Sequence, residues 1–274
     1  MAAQQLSRQQ RRKVRRDAIE RGRKLLARGL GPQLGEDEAV GVVLILHEAL
    51  TDTAMPRRAA DVAEAVETLL QKSLAADLKS LDVGCRKGCS FCCTSRVVIS
   101  APEIFRVAHW LRQNATAPGA ALRLDAVMAE AARREALPLE ARIALREPCP
   151  LLLDGACGVY EVRPISCRAV YSMSSDACRV AMVDDTAELP LVVPTMHKGD
   201  LARTLLLAAV SAAGLSDRGI EYSAGLKLAI ETPDAEARWL AGEDVFASVL
   251  GAERKPDARV AQDYLSRLAK SLVE

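Results

Sequence analysis

The sequence predicts a mainly α protein with a few short β-strands, in which helices wrap a small cysteine-rich core. Three observations carry this expectation. Both outer thirds of the chain place apolar residues at helical spacing. All eight cysteines fall between Cys85 and Cys178. That central stretch alone shows short apolar runs bounded by turn residues, the pattern of brief strands. The expected organisation is a helical amino-terminal arm over residues 1–82, a cysteine-bearing unit over 83–183 and a helical region over 184–274 packing on it.

Composition is consistent with this. Half of the 274 residues are hydrophobic but only 3% are aromatic, so Ala, Leu and Val must fill the interior. Lysine and arginine number 37 against 36 acids, and a net charge of +1 gives no global pull toward nucleic acid or an anionic membrane. The basic start, "MAAQQLSRQQRRKVRR", has no apolar run behind it and does not read as a secretory signal. The most apolar stretch, "AVGVVLILHEAL", is far shorter than the roughly 20 residues that cross a bilayer. The expectation is a cytoplasmic chain without a membrane span, whose thiols are kept reduced.

In chain order, residues 4 to 31 read as a charged helix whose Leu6, Val14, Ile19 and Leu25 are too sparse for a strong core face. Glu36 to Leu50 is a better helix, apolar at Val40, Val43 and Leu44. Pro56 is expected to open a helix running to Leu78, with Val62, Ala65, Val66, Leu69 and Leu70 on one side. "RVVIS" reads as a short strand. Pro102 starts a helix that turns Ile104, Phe105, Ala108 and Leu111 inward, and another helix runs from about Ala120 to Ala136. "CPLLLDGACGVY" is a hairpin signal, two apolar runs around an Asp-Gly turn. Pro164 begins a short helix in "RPISCR", and "CRVAMV" reads as one more strand. Four helical stretches follow: "DLARTLLLAAVSAAGL", closed at Gly214, then "EYSAGLKLAI", "PDAEARWLAG" and "PDARVAQDYLSRLAKSLV".

The chemistry gathers on the thiols. "CRKGCSFCC" places Cys85, Cys89, Cys92 and Cys93 within nine residues. As a helix, they would share one face at i, i+4, i+7 and i+8; Gly84 and Gly88 favour a loop over the first half. Either way they converge, and thiolates so crowded repel unless a cation lies among them. In a reducing compartment this spacing points to metal ahead of disulfides, and four inert buried thiols side by side would be unusual. Cys149 and Cys157 flank the hairpin turn and Cys167 follows the Pro164 turn, so these three complete a site begun by the first four. With Cys178 there are eight candidate ligands, enough for two metal centres or one polynuclear cluster.

"CRKGCSFCC", "APEIFRVA" and "CPLLLDGACGVYEVRPISCR" together resemble the YkgJ-type cysteine-cluster family, described as a zinc- or iron-chelating domain and as containing an iron–sulfur cluster. Seven cysteines match its pattern, as do Glu103, Ile104, Pro150, Gly155, Tyr160, Arg163, Pro164 and Arg168; the resemblance spans about residues 83 to 170 and leaves Cys178 outside it. It implies a metal site, with an iron–sulfur cluster of the 4Fe–4S type expected and zinc or mononuclear iron as alternatives. The flagellin lysine methylase carries a similar motif, so a protein or peptide substrate, or a redox partner, is compatible with the resemblance. Cys85, Cys89 and Cys92, with Phe91 before the third, also fit the three-cysteine motif of radical S-adenosylmethionine enzymes. The alternating strand–helix series and the Gly-Gly-Glu-type segment of those enzymes are missing here.

All-thiolate sites suit zinc and iron alike, but common zinc sites space their thiols as separated C-x2-C pairs. Only Cys89 and Cys92 have that spacing, and their crowding by Cys85 and Cys93 favours a cluster. Arg163 and Arg168 are expected either to hydrogen-bond such a cofactor or a substrate carboxylate, or to pair with Glu161 or Asp154. His47 and His109 read as core residues, and His197 as a loop residue available as ligand or acid–base group. Whether the metal serves catalysis or a closed structural, electron-transfer or metal-handling role is open at this level.

Overall fold

A computed structural model describes residues 7–115, 120–184, 186–249, 251 and 256–273. The protein is mainly helical, with twelve α-helices and four two-residue strands among the described residues. The first helix, α1 (Arg8–Arg28), starts from a capping box: Ser7 Oγ accepts from Gln10 N–H while Gln10 Oε1 accepts from Ser7 N–H. Residues 4 to 6 of the expected helix lie outside the described residues. The apolar stripe of α1 is as thin as expected, and Val14 is exposed. Close approach holds it instead: a Cβ on Gly22 would overlap the Gly41–Val42 backbone of α2 (Glu36–Thr51), and one on Gly41 would overlap the Ala18 backbone of α1.

α2 is apolar nearly all round, with Val42, Val43 and Leu44 fully buried. α3 (Arg58–Leu78) begins two residues after Pro56, which sits in the preceding turn. Both pack against α9 (Val193–Ala212), whose Leu205, Leu206, Ala208 and Ala209 have no exposed surface. α12 (Pro256–Val273) packs on both α9 and α2. A second layer comprises α4 (Ala101–Gln113), α5 (Ala120–Glu135) and α10 (Tyr222–Glu231), with α4 joined to α3. Phe105 on α4 meets Trp239 of α11 (Ala235–Leu240) and Phe246 at 5.8 and 5.5 Å between ring centroids, so three of the chain's few aromatics fill one gap.

The two small sheets lie at the cysteine-bearing centre. β1 (Val98–Ile99) pairs antiparallel with β4 (Ile220–Glu221), in the register Val98 to Glu221 and Ile99 to Ile220. β2 (Leu152–Leu153) and β3 (Ala156–Cys157) form the Asp-Gly hairpin. Asp154 and Gly155 have φ of 51° and 76°, the double left-handed turn that matches the twist of a tight hairpin.

Two expectations are corrected. "CRVAMV" is not a strand; its first half belongs to α8 (Ser175–Val180), which Ser174 caps by accepting from Ala177 N–H at 3.1 Å. A side-chain cap offsets the weak helix propensity of so short a segment. His197 is not in a loop: α9 already begins at Val193, since Pro194 supplies helical φ in the first turn, and His197 is exposed on that helix.

Candidate metal centre

The first four thiols sit on a loop that tightens into a single 3-10 turn. Gly88 takes a φ of 92°, Cys89 N–H donates to Arg86 O, and the turn Phe91–Thr94 then presents Cys92 and Cys93 together. The second group is tied directly to the first, because Cys149 N–H donates to Cys93 O at 2.7 Å. From Cys149 the chain enters the hairpin, where Cys157 pairs with Leu152. Cys167 lies on α7 (Ile165–Ala169), which starts at Pro164 as the sequence suggests.

Three segments thus place six cysteines on one cavity of about 410 Å³: Cys89, Cys92, Cys93, Cys149, Cys157 and Cys167. Cys85 and Cys178 do not line it. They lie to one side with Cys89, where Gly84 N–H donates to Ser172 O and Ser172 N–H donates to Cys85 Sγ at 3.3 Å. A Cβ on Gly84 would run into the Ser174–Ser175 backbone at the start of α8, so only glycine allows this approach. Among the described residues, no group of three or more His, Cys, Asp or Glu side chains is arranged to hold a single ion.

Burial and neighbouring thiols dominate the electrostatics of these sulfurs. Burial pushes Cys167 up to about 12 and Cys149 up to about 11, with neighbouring thiols adding to both. Burial also raises Cys157 and Cys85. Opposing this, backbone N–H groups of Leu151, Val159 and Ser172 stabilise the sulfurs of Cys149, Cys157 and Cys85 respectively. The adjacent Cys92 and Cys93 thiols act on each other, drawing Cys92 down and driving Cys93 up. Amides aimed at sulfur favour thiolate, burial without a cation disfavours it, and a bound cation would decide the balance.

The two arginines part company. Arg163 lines the cavity, lowers the pKa of Cys92, Cys157 and Cys167, and stacks its guanidinium 3.9 Å from the Tyr160 ring centroid. Its Nε is buried with no hydrogen-bond partner among the described residues. Arg168 does not line the cavity. It is 8% exposed and staples the loop below: Nε donates to Arg163 O at 2.7 Å and Nη2 to Glu161 O, with Glu67 Oε2 at 3.5 Å. Its carboxylate partner is therefore Glu67 of α3, not Glu161 or Asp154. His47 is half-buried and held below its usual pKa by burial. His109 pairs with Glu236, whose carboxylate also accepts from Ala59 and Ala60 N–H at the start of α3.

Other residues around the centre carry no sign of their place in the sequence. Glu103 Oε2 accepts from Ser100 N–H and Oγ while Oε1 accepts from Ile165 N–H at 2.9 Å, so one buried carboxylate caps both α4 and the helix bearing Cys167. Its Glu-Ile pair belongs to the resemblance, but its role as a double cap needs the fold. Tyr222, Glu221 and Ser223 close the cavity from the far end of the chain. Only the alternation around Ile220 could have hinted at the strand that brings them there. No protein-family model, curated protein or solved structure matches the chain.

Proposed function

We propose that the protein holds an iron–sulfur cluster through the thiols that line the central cavity. The observation that carries this reading is the convergence of six cysteine side chains, from three separate segments, on a single space of about 410 Å³. A lone zinc ion needs four donors at about 2.3 Å, and no group of even three such side chains is so gathered among the described residues. A polynuclear cluster takes its thiolates from several directions around a larger body, which suits the spread found here. The resemblance to the YkgJ-type family supports the same reading, and the proposed cluster is of the 4Fe–4S type.

A cluster bound there would supply either one-electron transfer or an iron site open to a substrate. The chain's own contributions are electrostatic. Leu151 and Val159 amides support the sulfurs of Cys149 and Cys157, and Arg163 supplies the positive charge beside Cys92, Cys157 and Cys167. Glu103 and Arg168 hold the backbone of that wall in place. No helix among the described residues is long and apolar enough to cross a membrane, and reduced thiols call for a compartment such as the cytoplasm.

The test is metal and sulfide analysis of anaerobically purified protein. The expected product is brown, with iron and acid-labile sulfide in stoichiometric amounts. Cys149→Ser and Cys167→Ser should each lose most of that iron, whereas Cys178→Ser, away from the cavity, should retain it. Colourless protein carrying stoichiometric zinc would overturn the assignment.

A further inference from the structure

One residue from outside the cysteine-bearing stretch also reaches the cavity. Tyr222 is 5% exposed and lines the same cavity as Cys149, Cys157 and Cys167. Its Oη is buried and has no hydrogen-bond partner among the described residues. Leaving a buried hydroxyl unsatisfied is costly, so natural proteins rarely do it without a reason.

The phenol cannot easily escape this position. Tyr222 N–H donates to Val97 O at 3.0 Å, and the two residues before it are paired with Ile99 and Val98. On its other side, Glu221 accepts from Ala224 N–H at 2.8 Å and fixes the start of α10. Polar side chains of Arg134, Glu221 and Ser223 share the cavity wall, yet none bonds the hydroxyl. A phenol O–H donates readily, and six cysteine sulfurs line the same wall.

Resting on the cluster reading, we propose that Tyr222 donates its O–H to a sulfur of the bound centre, either a thiolate of Cys149, Cys157 or Cys167 or a bridging sulfide. Tyr222 is then a positioning residue that tunes the cofactor. A hydrogen bond to sulfur withdraws electron density from the iron–sulfur unit and favours its reduced state. The carboxy-terminal third of the chain therefore takes part in setting the properties of the centre, beyond covering it.

Full-length wild type and Tyr222→Phe, both purified anaerobically, provide the test. The measurements are iron and sulfide content, visible spectrum and midpoint potential by redox titration followed by EPR. The expected result is equal iron content with a lower midpoint potential in the Phe variant. Equal content with equal potential overturns the role of Tyr222 and leaves the cluster reading intact. Wild type that carries no iron defeats the cluster reading, and the Tyr222 inference with it. Should the Phe variant lose its iron, 3-fluorotyrosine placed at 222 decides instead. A stronger donor in the same shape should raise the potential, and an unchanged potential overturns the inference.

Discussion

Glu103 is 1% exposed and sits between two helix starts, where its two oxygens serve three donors. A negative group there also faces the positive end of α4. Glutamine in its place has one acceptor oxygen and turns an amide N–H2 toward donors, so Glu103→Gln loses at least one charge-assisted bond. The expected cost is about 1.5–3 kcal/mol in denaturant unfolding. Where the amide N–H2 faces Ile165, the start of the Cys167 helix is loosened, and Cys167 should react faster with an alkylating agent in the metal-free chain. At this scale the cysteines, the Asp-Gly turn and the Pro164 start were all readable, since each depends on neighbours within a few positions. The partners of Glu103 and Arg168 were not, because they lie 62 and 101 residues away.

At the scale of elements, the helix carrying Cys167 is set by what lies beneath it. α9 meets α7 at Gly199, where an added Cβ would overlap the Ala169 side chain. Alanine at 199 would gain about 1 kcal/mol of helix propensity but incur about 1–3 kcal/mol of overpacking. The obstructing methyl belongs to a backbone-held residue, so α7 itself must shift. In the cluster-loaded protein proposed above, Gly199→Ala should therefore release iron faster to a chelator than wild type, with far-UV circular dichroism unchanged. The apolar periodicities of α2, α3, α4 and α9 made their helices legible. α8 was misread because six residues are too few to show a helical period, and the serine cap that decides the matter is a single side chain. β4 was missed because two residues of strand leave too little pattern to see.

Across the whole molecule, Glu67 joins three elements. It lies on α3, is 2% exposed, and meets Arg106 of α4 at 2.8 Å and Arg168 of α7 at 3.5 Å. Burial outweighs both arginines and raises its carboxyl from 4.5 to about 7. The folded chain thus holds this proton more tightly than the unfolded chain does. Its contribution to stability is complete below pH 4.5 and is lost as pH rises through about 7. Relative to Glu67→Gln, which keeps a neutral side chain throughout, the metal-free wild type should lose on the order of 3 kcal/mol across that interval. Urea unfolding of both proteins at several pH values measures it, and parallel curves would remove Glu67 as the cause. The sequence made the mainly helical character clear, because it is written in composition and spacing. It could not show that α3, α4 and α7 meet at one buried carboxyl group.

The pairing of residues 98–99 with 220–221 also bears on timing. Synthesis proceeds from the amino terminus, so every cysteine has been added to the chain before Glu221, Tyr222 and Ser223 exist. During that interval the nascent basin has its sulfurs but lacks one side. Any cofactor delivered on the ribosome would meet an open bowl, while one delivered after release would meet the finished vessel.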